Sequence, residues 1–406
     1  MGERARAVED LVSELSAFYA GKTVLVTGHT GFKGSWLTAW LTKLGARVVG
    51  YALAPEGTPN LFELAGIADK TAAHVLGDVR DFDAVRAVIA AHRPDVVFHL
   101  AAQALVRRSY RTPVETLATN VMGTAHVLEA CRHLPALAAV VIVTSDKCYE
   151  NREQLWGYRE DDPMGGADPY SMSKGAAELV TASWRRSFFE ERPVVASARA
   201  GNVIGGGDFS EDRLVPDIVR GIAAGQPVHI RNPGATRPWQ HVLDPLSGYL
   251  LLAKRVAEAP VEHAEGWNFG PREELPVPVG QLAQRLVERL GRGQLVIAPQ
   301  GSDANAPHEA HELRLDCSKA MRLLRWSPRF DLRAAVDRTA EWYAGWLEDP
   351  ARAGELLDRQ IAEMEQQIVD PVNSAGAVAL VQLLQLRFDC RERVRVEQLA
   401  KFRLAQ

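Results

Sequence analysis

Val24-Leu25-Val26-Thr27-Gly28-His29-Thr30-Gly31-Phe32-Lys33-Gly34-Ser35-Trp36 is an apolar run that breaks into glycines and resumes with helical spacing. It reads as a buried strand delivering its end to a phosphate. Gly28 permits a turn that a side chain would obstruct, Gly31 lets the backbone approach a diphosphate, and Gly34 lets the next helix pack on the strand. The helix start then presents free N–H groups and a positive dipole end to the anion. The spacing G-x-x-G-x-x-G departs from the commoner G-x-G-x-x-G, and a lone glycine pattern is also met in ordinary turns. Its context, a strand before and a helix after, favours dinucleotide binding.

Outward from the loop, strands and helices alternate. Residues 1–20 read as an amphipathic helix with Val8, Leu11, Leu15 and Phe18 on one side. The helix after the loop extends to about Leu44 and stops at Gly45, and Val48 to Ala52 form a second strand. In a unit of this kind an acidic residue usually ends the second strand and bonds the adenosine ribose. Here the positions read Tyr51-Ala52-Leu53-Ala54-Pro55, with Glu56 beyond the proline. Lys33 and Arg47 are cations that suit a 2′-phosphate, so these residues leave NAD and NADP both open.

Further strands are expected at His74–Val79, Asp95–Ala102 and Ala139–Val143, with Asp81 capping one helix and another over Pro113–Arg132. Asp78 is placed to contact adenine or to hold a turn. His99, inside an apolar run, reads as a packed histidine, and Asn120 as a structural hydrogen-bonder. Five alternating strands predict a parallel, doubly wound sheet whose ligands lie beyond the carboxyl ends of the strands. The glycine loop and Ser145-Asp146-Lys147 both fall on that edge.

Tyr170 and Lys174 stand four apart at the start of an apolar-periodic helix after Asp168-Pro169, which stacks them on one face. An ammonium beside the phenol is expected to lower its pKa and make tyrosine a usable base. Y-x-x-x-K is common as a surface pair. A strand-end Ser145 after a glycine-loop sheet turns the reading toward catalysis.

The 406 residues carry a formal net charge of -4, which gives no nucleic-acid or anionic-membrane footprint. Cys131, Cys148, Cys317 and Cys390 lack C-x-x-C spacing, so buried free thiols in a reducing compartment are expected. Met1 to Glu14 is too charged for a signal peptide and no apolar run approaches a membrane span, so the expectation is a soluble, cytoplasmic protein. His308 and His311 sit three apart without a third ligand, and no metal site is expected.

These blocks resemble the extended short-chain dehydrogenase/reductase family, and within it the nucleoside-diphosphate-sugar 4,6-dehydratases. The likeness covers roughly residues 20–347. Gly28 through Trp36, Ser145-Asp146-Lys147-Cys148-Tyr149, Asp168 through Lys174, Arg199 through Asp208, Arg237-Pro238-Trp239-Gln240-His241-Val242 and His308-Glu309-Ala310-His311 carry it. The resemblance implies a Rossmann-type doubly wound parallel sheet with a smaller mixed α/β substrate domain. The expected organisation is a helical leader over 1–20, a NAD-binding domain over 21–200 to which parts of 239–270 return, a nucleotide-sugar domain over 201–349, and a helical extension over 350–406.

It further implies NAD as cofactor, CDP-glucose as substrate, and a homodimer or homotetramer. Ser145, Asp146, Lys147, Tyr170 and Lys174 are the catalytic candidates. Gly28, Thr30, Gly31, Phe32, Lys33, Gly34, Asp78, Val79, Leu100, Ala101 and Ala102, with Tyr170 and Lys174, are the cofactor candidates. Gln103, Asn202, Arg213, Arg237 and His308 are the substrate candidates. Another nucleotide-sugar dehydratase, a 4-epimerase and a non-catalytic NAD(P) sensor are the rival readings. An epimerase needs no acid/base pair at C5 and C6, and a sensor needs none of Tyr170, Lys174 and Ser145.

Overall fold

A computed structural model describes residues 12–192, 194–230, 232–272, 277–297 and 313–369. Residues 15–361 form one compact unit, and the described residues 12–14 and 362–369 fall outside it. Within that unit, β1 (Thr23–Thr27), β2 (Arg47–Ala52), β3 (Ala73–Leu76), β4 (Val96–His99), β5 (Ala139–Val143), β6 (Val195–Ala200) and, after β7 (Val203–Ile204), β8 (Val228–Ile230) and β9 (Gln240–His241), β10 (Gly266–Phe269) are the main strands. Seven of them build one sheet in the order β10-β6-β5-β4-β1-β2-β3. Every pairing in it is parallel.

Helices cover both faces, which is why the central strands are apolar throughout instead of alternating. On one face Leu25, Val49, Val97 and Val140 meet Val85 and Ile89 of helix Phe82–His92 and Val127 and Leu128 of helix Gly123–Arg132. Each such side chain contributes about 1.5–3 kcal/mol by leaving water. The helix after the glycine loop, α1 (Phe32–Lys43), is buried from Gly34 to Leu41. It lies under the glycine-rich segment that follows β6, and the Trp36 indole N–H donates to the Gly206 carbonyl at 3.0 Å.

Two elements differ from their sequence patterns for identifiable reasons. The third strand ends at Leu76, and Gly77 lies against the Tyr51 ring, where a Cβ would collide. The long helix expected over Pro113–Arg132 is interrupted by a π-helical turn at Ala118–Met122. The wider turn carries the buried Asn120 amide, which accepts from the Gln103 N–H at 2.8 Å and donates to the Ser173 hydroxyl at 2.8 Å. A polar group at that depth is stable only with its partners satisfied.

β5 and β6 are tied to α2 (Pro169–Phe188) by a buried ion pair. Arg199 donates to Glu178 at 2.9 Å, and Glu178 also accepts from Thr144 at 2.5 Å and Ser197 at 2.7 Å. Burial alone would raise the Glu178 pKa, but Arg199 and the three hydrogen bonds hold it below the usual carboxylate value. Glu178→Ala is expected to destabilise the protein by about 3–5 kcal/mol, because Arg199 is then left buried and unpaired. Denaturant unfolding above neutral pH measures this, and a loss under about 1 kcal/mol would mean the pair behaves as an exposed one. The depressed pKa means this stabilisation is present above the unfolded carboxylate value of about 4.3 and fades as pH falls through the folded one.

Candidate active site

β5 ends at Val143, and the chain turns at once into a short 3-10 helix at Asp146–Cys148. Ser145 caps that turn: its hydroxyl accepts from the Lys147 N–H at 3.2 Å and donates to the Asp146 carboxylate at 2.8 Å. α2 starts just across from it because Asp168 caps its end, accepting from the Ser171 N–H at 2.9 Å, and Pro169 occupies the first turn. The Tyr170 N–H is anchored on the Ser109 hydroxyl at 3.1 Å, and the Ser145 hydroxyl favours the ionised form of the Tyr170 phenol. Lys174, one turn on, points its ammonium at the Val143 carbonyl, 3.4 Å away. Ser145, Asp146, Tyr170 and Lys174 are thus gathered at one strand end, all buried, with Lys147 half-buried beside them.

Burial sets the electrostatics of this cluster. It pushes the Tyr170 phenol up to about 12, although the Ser145 hydrogen bond and the Arg213 charge act the other way. The expected lowering by Lys174 is not found: desolvation of the phenolate dominates, and the influences that oppose it come from Ser145 and Arg213. Lys174 is itself lowered to about 8 by burial, against the opposing pull of Cys148 and Glu178. Burial also raises the Asp146 carboxyl, which Lys147, Ser145 and Lys33 partly offset. Asp146 is therefore biased toward holding its proton, as a carboxylic acid that donates must be.

The glycine loop lies where the strand order reverses, between the ends of β1 and β4. Gly28 has φ 75, and a Cβ there would stand 2.7 Å from the Ala101 nitrogen. A Cβ on Gly34 would run into the Gly28 carbonyl, whereas one on Gly31 would meet only that oxygen, at 3.4 Å. The helix start has no side-chain cap, so the first N–H groups of α1 are left for a ligand. A shallow cradle closed by two glycines and ending in uncapped donors fits the diphosphate of a dinucleotide.

Leu100, Ala101 and Ala102, all half-buried, and the buried Val79 continue the same edge of the sheet. Thr30 donates to the Leu53 carbonyl at 3.0 Å. Asp78 is engaged by Arg80, at 2.9 Å through its N–H and 2.8 Å through Nε, which holds its carboxyl low. Phe32 leans on Gly205, and Lys33 reaches the electrostatic neighbourhood of Asp146. Arg47 opens β2 at the sheet's other edge and is exposed, so it is not placed for a 2′-phosphate.

On the opposite side, Asn202, Arg213 and Arg237 are half-buried along the segments after β6 and before β9. Arg213 pairs with the buried Asp208 at 3.1 Å, and Arg237 donates to the Thr236 carbonyl at 2.8 Å. The Gln103 amide is engaged within its own segment, donating to Thr116 at 2.9 Å and accepting from the Leu105 N–H at 2.6 Å. His308 and His311 lie outside the described residues, as does Cys390. Among the described residues Cys131, Cys148 and Cys317 are buried and form no disulfide. His99 is buried and shares a 2.7 Å hydrogen bond with Thr27. His241 is packed between Trp36 and Phe330. Among the described residues no three His, Cys, Asp or Glu side chains gather as metal ligands would. Ser109 and Glu178, which fix Tyr170 and the strand end, carry no signal in their local sequence.

Known proteins resemble this unit along most of its length. The profile of the family described as GDP-mannose 4,6 dehydratase matches residues 25–339. The chain is 52% identical over 336 residues to the CDP-glucose 4,6-dehydratase of Salmonella typhimurium, spanning 81% of this chain and 92% of that protein. It is 30% identical over 330 residues to the dTDP-glucose 4,6-dehydratase of Streptomyces antibioticus, spanning 79% and 92% respectively. The solved structure of dTDP-glucose 4,6-dehydratase from Bacillus anthracis in complex with NAD is similar in fold, with TM-score 0.67 at 20% identity over 81% of this chain and 98% of that one. By its profile match and its 52% identical relative, the chain belongs to the GDP-mannose 4,6 dehydratase family of nucleotide-sugar dehydratases.

Proposed function

We propose that the protein dehydrates CDP-glucose to CDP-4-keto-6-deoxyglucose with NAD as a cofactor that ends each turnover unchanged. The supporting observation is the convergence of Ser145, Asp146, Tyr170 and Lys174 at the end of β5, beside the dinucleotide cradle. The 52% identity to a CDP-glucose enzyme selects the nucleotide. Gly28 through Gly34, Leu100 to Ala102 and Lys174 would hold NAD, which would supply reversible two-electron chemistry at the sugar.

Tyr170 takes the proton of the C4 hydroxyl while Ser145 holds that oxygen, and the ammonium of Lys174 supports the phenolate. With a carbonyl at C4, the C5 proton becomes acidic, and Lys147 removes it and returns it to the same carbon. A lysine base acts in its neutral form. Asp146 donates its proton to the C6 hydroxyl, which departs as water. At the end Tyr170 has gained a proton and Asp146 has lost one. Ser145, bonded to Asp146 and acting on the Tyr170 phenol, offers the hydroxyl through which the two are reset. Asn202, Arg213 and Arg237 serve the substrate's diphosphate on the far side.

We also read the protein as a cytoplasmic homodimer or homotetramer. Buried thiols that form no disulfide among the described residues support a reducing compartment. The exposed Tyr110, Val114, Met122, Met172 and Leu179 along neighbouring helices support association. Incubation with CDP-, dTDP-, GDP- and UDP-glucose tests the reaction through the absorbance of the 4-keto sugar in base. The CDP sugar should give the strongest signal by at least tenfold, a difference of about 1.4 kcal/mol in transition-state binding. A 4-epimer formed without any keto sugar would overturn the dehydratase reading.

A further inference from the structure

The catalytic side chains come from two elements that must keep a fixed distance. Ser145 and Asp146 stand at the turn after β5, whereas Tyr170 and Lys174 stand on α2. Between Val143, the last residue of β5, and Ser145 lies Thr144, which is buried and which no step of the reaction above uses. Its backbone N–H donates to the Ala198 carbonyl of β6 at 2.9 Å, which carries the sheet's ladder one residue past the strand. Its hydroxyl donates to Glu178 Oε1 of α2 at 2.5 Å.

Glu178 follows Lys174 by four residues and Tyr170 by eight, so the three share one face of α2, successive members about 6 Å apart along the axis. All three are buried. The carboxylate is divided between two strands: Oε1 takes the Thr144 hydroxyl, and Oε2 takes Ser197 at 2.7 Å and Arg199 at 2.9 Å from β6. Against its burial, Arg199 and these hydrogen bonds hold the carboxyl below its usual value, so both oxygens accept at neutral pH. One position after Lys174, α2 is pressed close to the turn. A Cβ on Gly175 would stand 3.0 Å from the Cys148 carbonyl and 2.8 Å from that of Gly165. Helix and turn therefore meet almost backbone to backbone, and the Thr144–Glu178 bond, one helical turn further on, fixes how α2 is seated along that contact.

We propose that Thr144 is a positioning residue for the oxidation at C4: through Glu178 it holds the Ser145 end of the catalytic set in register with Tyr170 and Lys174. This rests on the nucleotide-sugar reading above. Ser145 must hold the oxygen whose proton Tyr170 takes, and a misplacement of about 1 Å in such a set costs about 10²-fold in rate.

Thr144→Val tests this, because it exchanges the hydroxyl for a methyl group and leaves Glu178 its bonds to Ser197 and Arg199. Glu178→Gln would also strip the buried Arg199 of its counter-charge, and its failure to fold would say nothing of position. In Thr144→Val, kcat for the 4-keto sugar from CDP-glucose, counted per folded NAD-binding site, should fall about 10–100-fold, with KM and NAD affinity within about threefold of the parent. With deuterium at C4 of the sugar, this variant should show a primary isotope effect on kcat, because the oxidation has become the slow step. Thr144→Ser keeps the hydroxyl and should return kcat to within about threefold of the parent. A merely structural residue would lower the melting temperature and leave kcat per folded site unchanged. That outcome, a loss that Thr144→Ser does not restore, or a loss without the isotope effect would overturn the assignment while leaving the dehydratase reading intact. A parent enzyme that forms the 4-epimer without keto sugar would overturn the dehydratase reading alone, since the same variants then report on C4 oxidation during epimerisation. No turnover of any nucleoside-diphosphate glucose by the parent would overturn both.

Discussion

Tyr170→Phe is expected to lower kcat for 4-keto sugar formation by about 10²–10⁴-fold, with the fold and NAD binding preserved. The substitution removes one oxygen from a buried ring and leaves everything that positions it. The backbone bond from Tyr170 to Ser109 at 3.1 Å and the Asp168 cap of α2 do not involve the phenol. Ser145 keeps its 2.8 Å bond to Asp146, so no donor is orphaned. What is lost is the group that accepts the C4 proton. A phenol raised to about 12 by burial must be brought down within the loaded site before it acts, and Lys174, one helical turn away, is the cation placed for that. Product formation measured alongside NAD binding separates the outcomes, and retained turnover would place the base elsewhere.

Asp146→Asn should divide the reaction in two. The amide matches the carboxylate in volume and can still accept from Ser145, so oxidation at C4 should proceed. It cannot release the proton that the C6 hydroxyl needs in order to leave. Dehydrated product is expected to fall by about 10²–10⁴-fold while reduced cofactor builds up on the enzyme, visible by its near-ultraviolet absorbance in a rapid-mixing experiment. Complete loss of the first oxidation would show that Asp146 serves both halves, which would contradict the roles given to it here. The two variants have opposite signatures: Tyr170→Phe stops before the cofactor is reduced, and Asp146→Asn stops after.

The parts of the site legible in the chain are those governed by spacing along it. Gly28 and Gly34 are needed because a Cβ at Gly28 meets the backbone beyond the neighbouring strand β4 and one at Gly34 meets the loop's own backbone at Gly28, and the G-x-x-G-x-x-G run announces that. Tyr170 and Lys174 share a helix face by periodicity alone. Asp81 caps its helix, accepting from the Ala84 N–H at 3.0 Å, as its position before an amphipathic run implies. The π-helical turn at Ala118–Met122 was not legible, since its cause is Asn120 finding Gln103 and Ser173 from distant segments.

Length, the strand–loop–helix start, the alternation that yields a parallel sheet and the identity of the reactive side chains are properties of the sequence by itself. They depend on steric limits of φ, on helical period and on runs of apolar residues, all of which act within a few positions. The tertiary structure decided the charges and directions. It put Arg47 at the edge away from the ligand and buried Tyr170 deeply enough to push its phenol up to about 12. It also closed the Arg199–Glu178 pair beneath the strand end. Desolvation and Coulomb interaction depend on what surrounds a group in space, and those neighbours come from segments up to some 180 residues apart, as with Lys33 and Arg213.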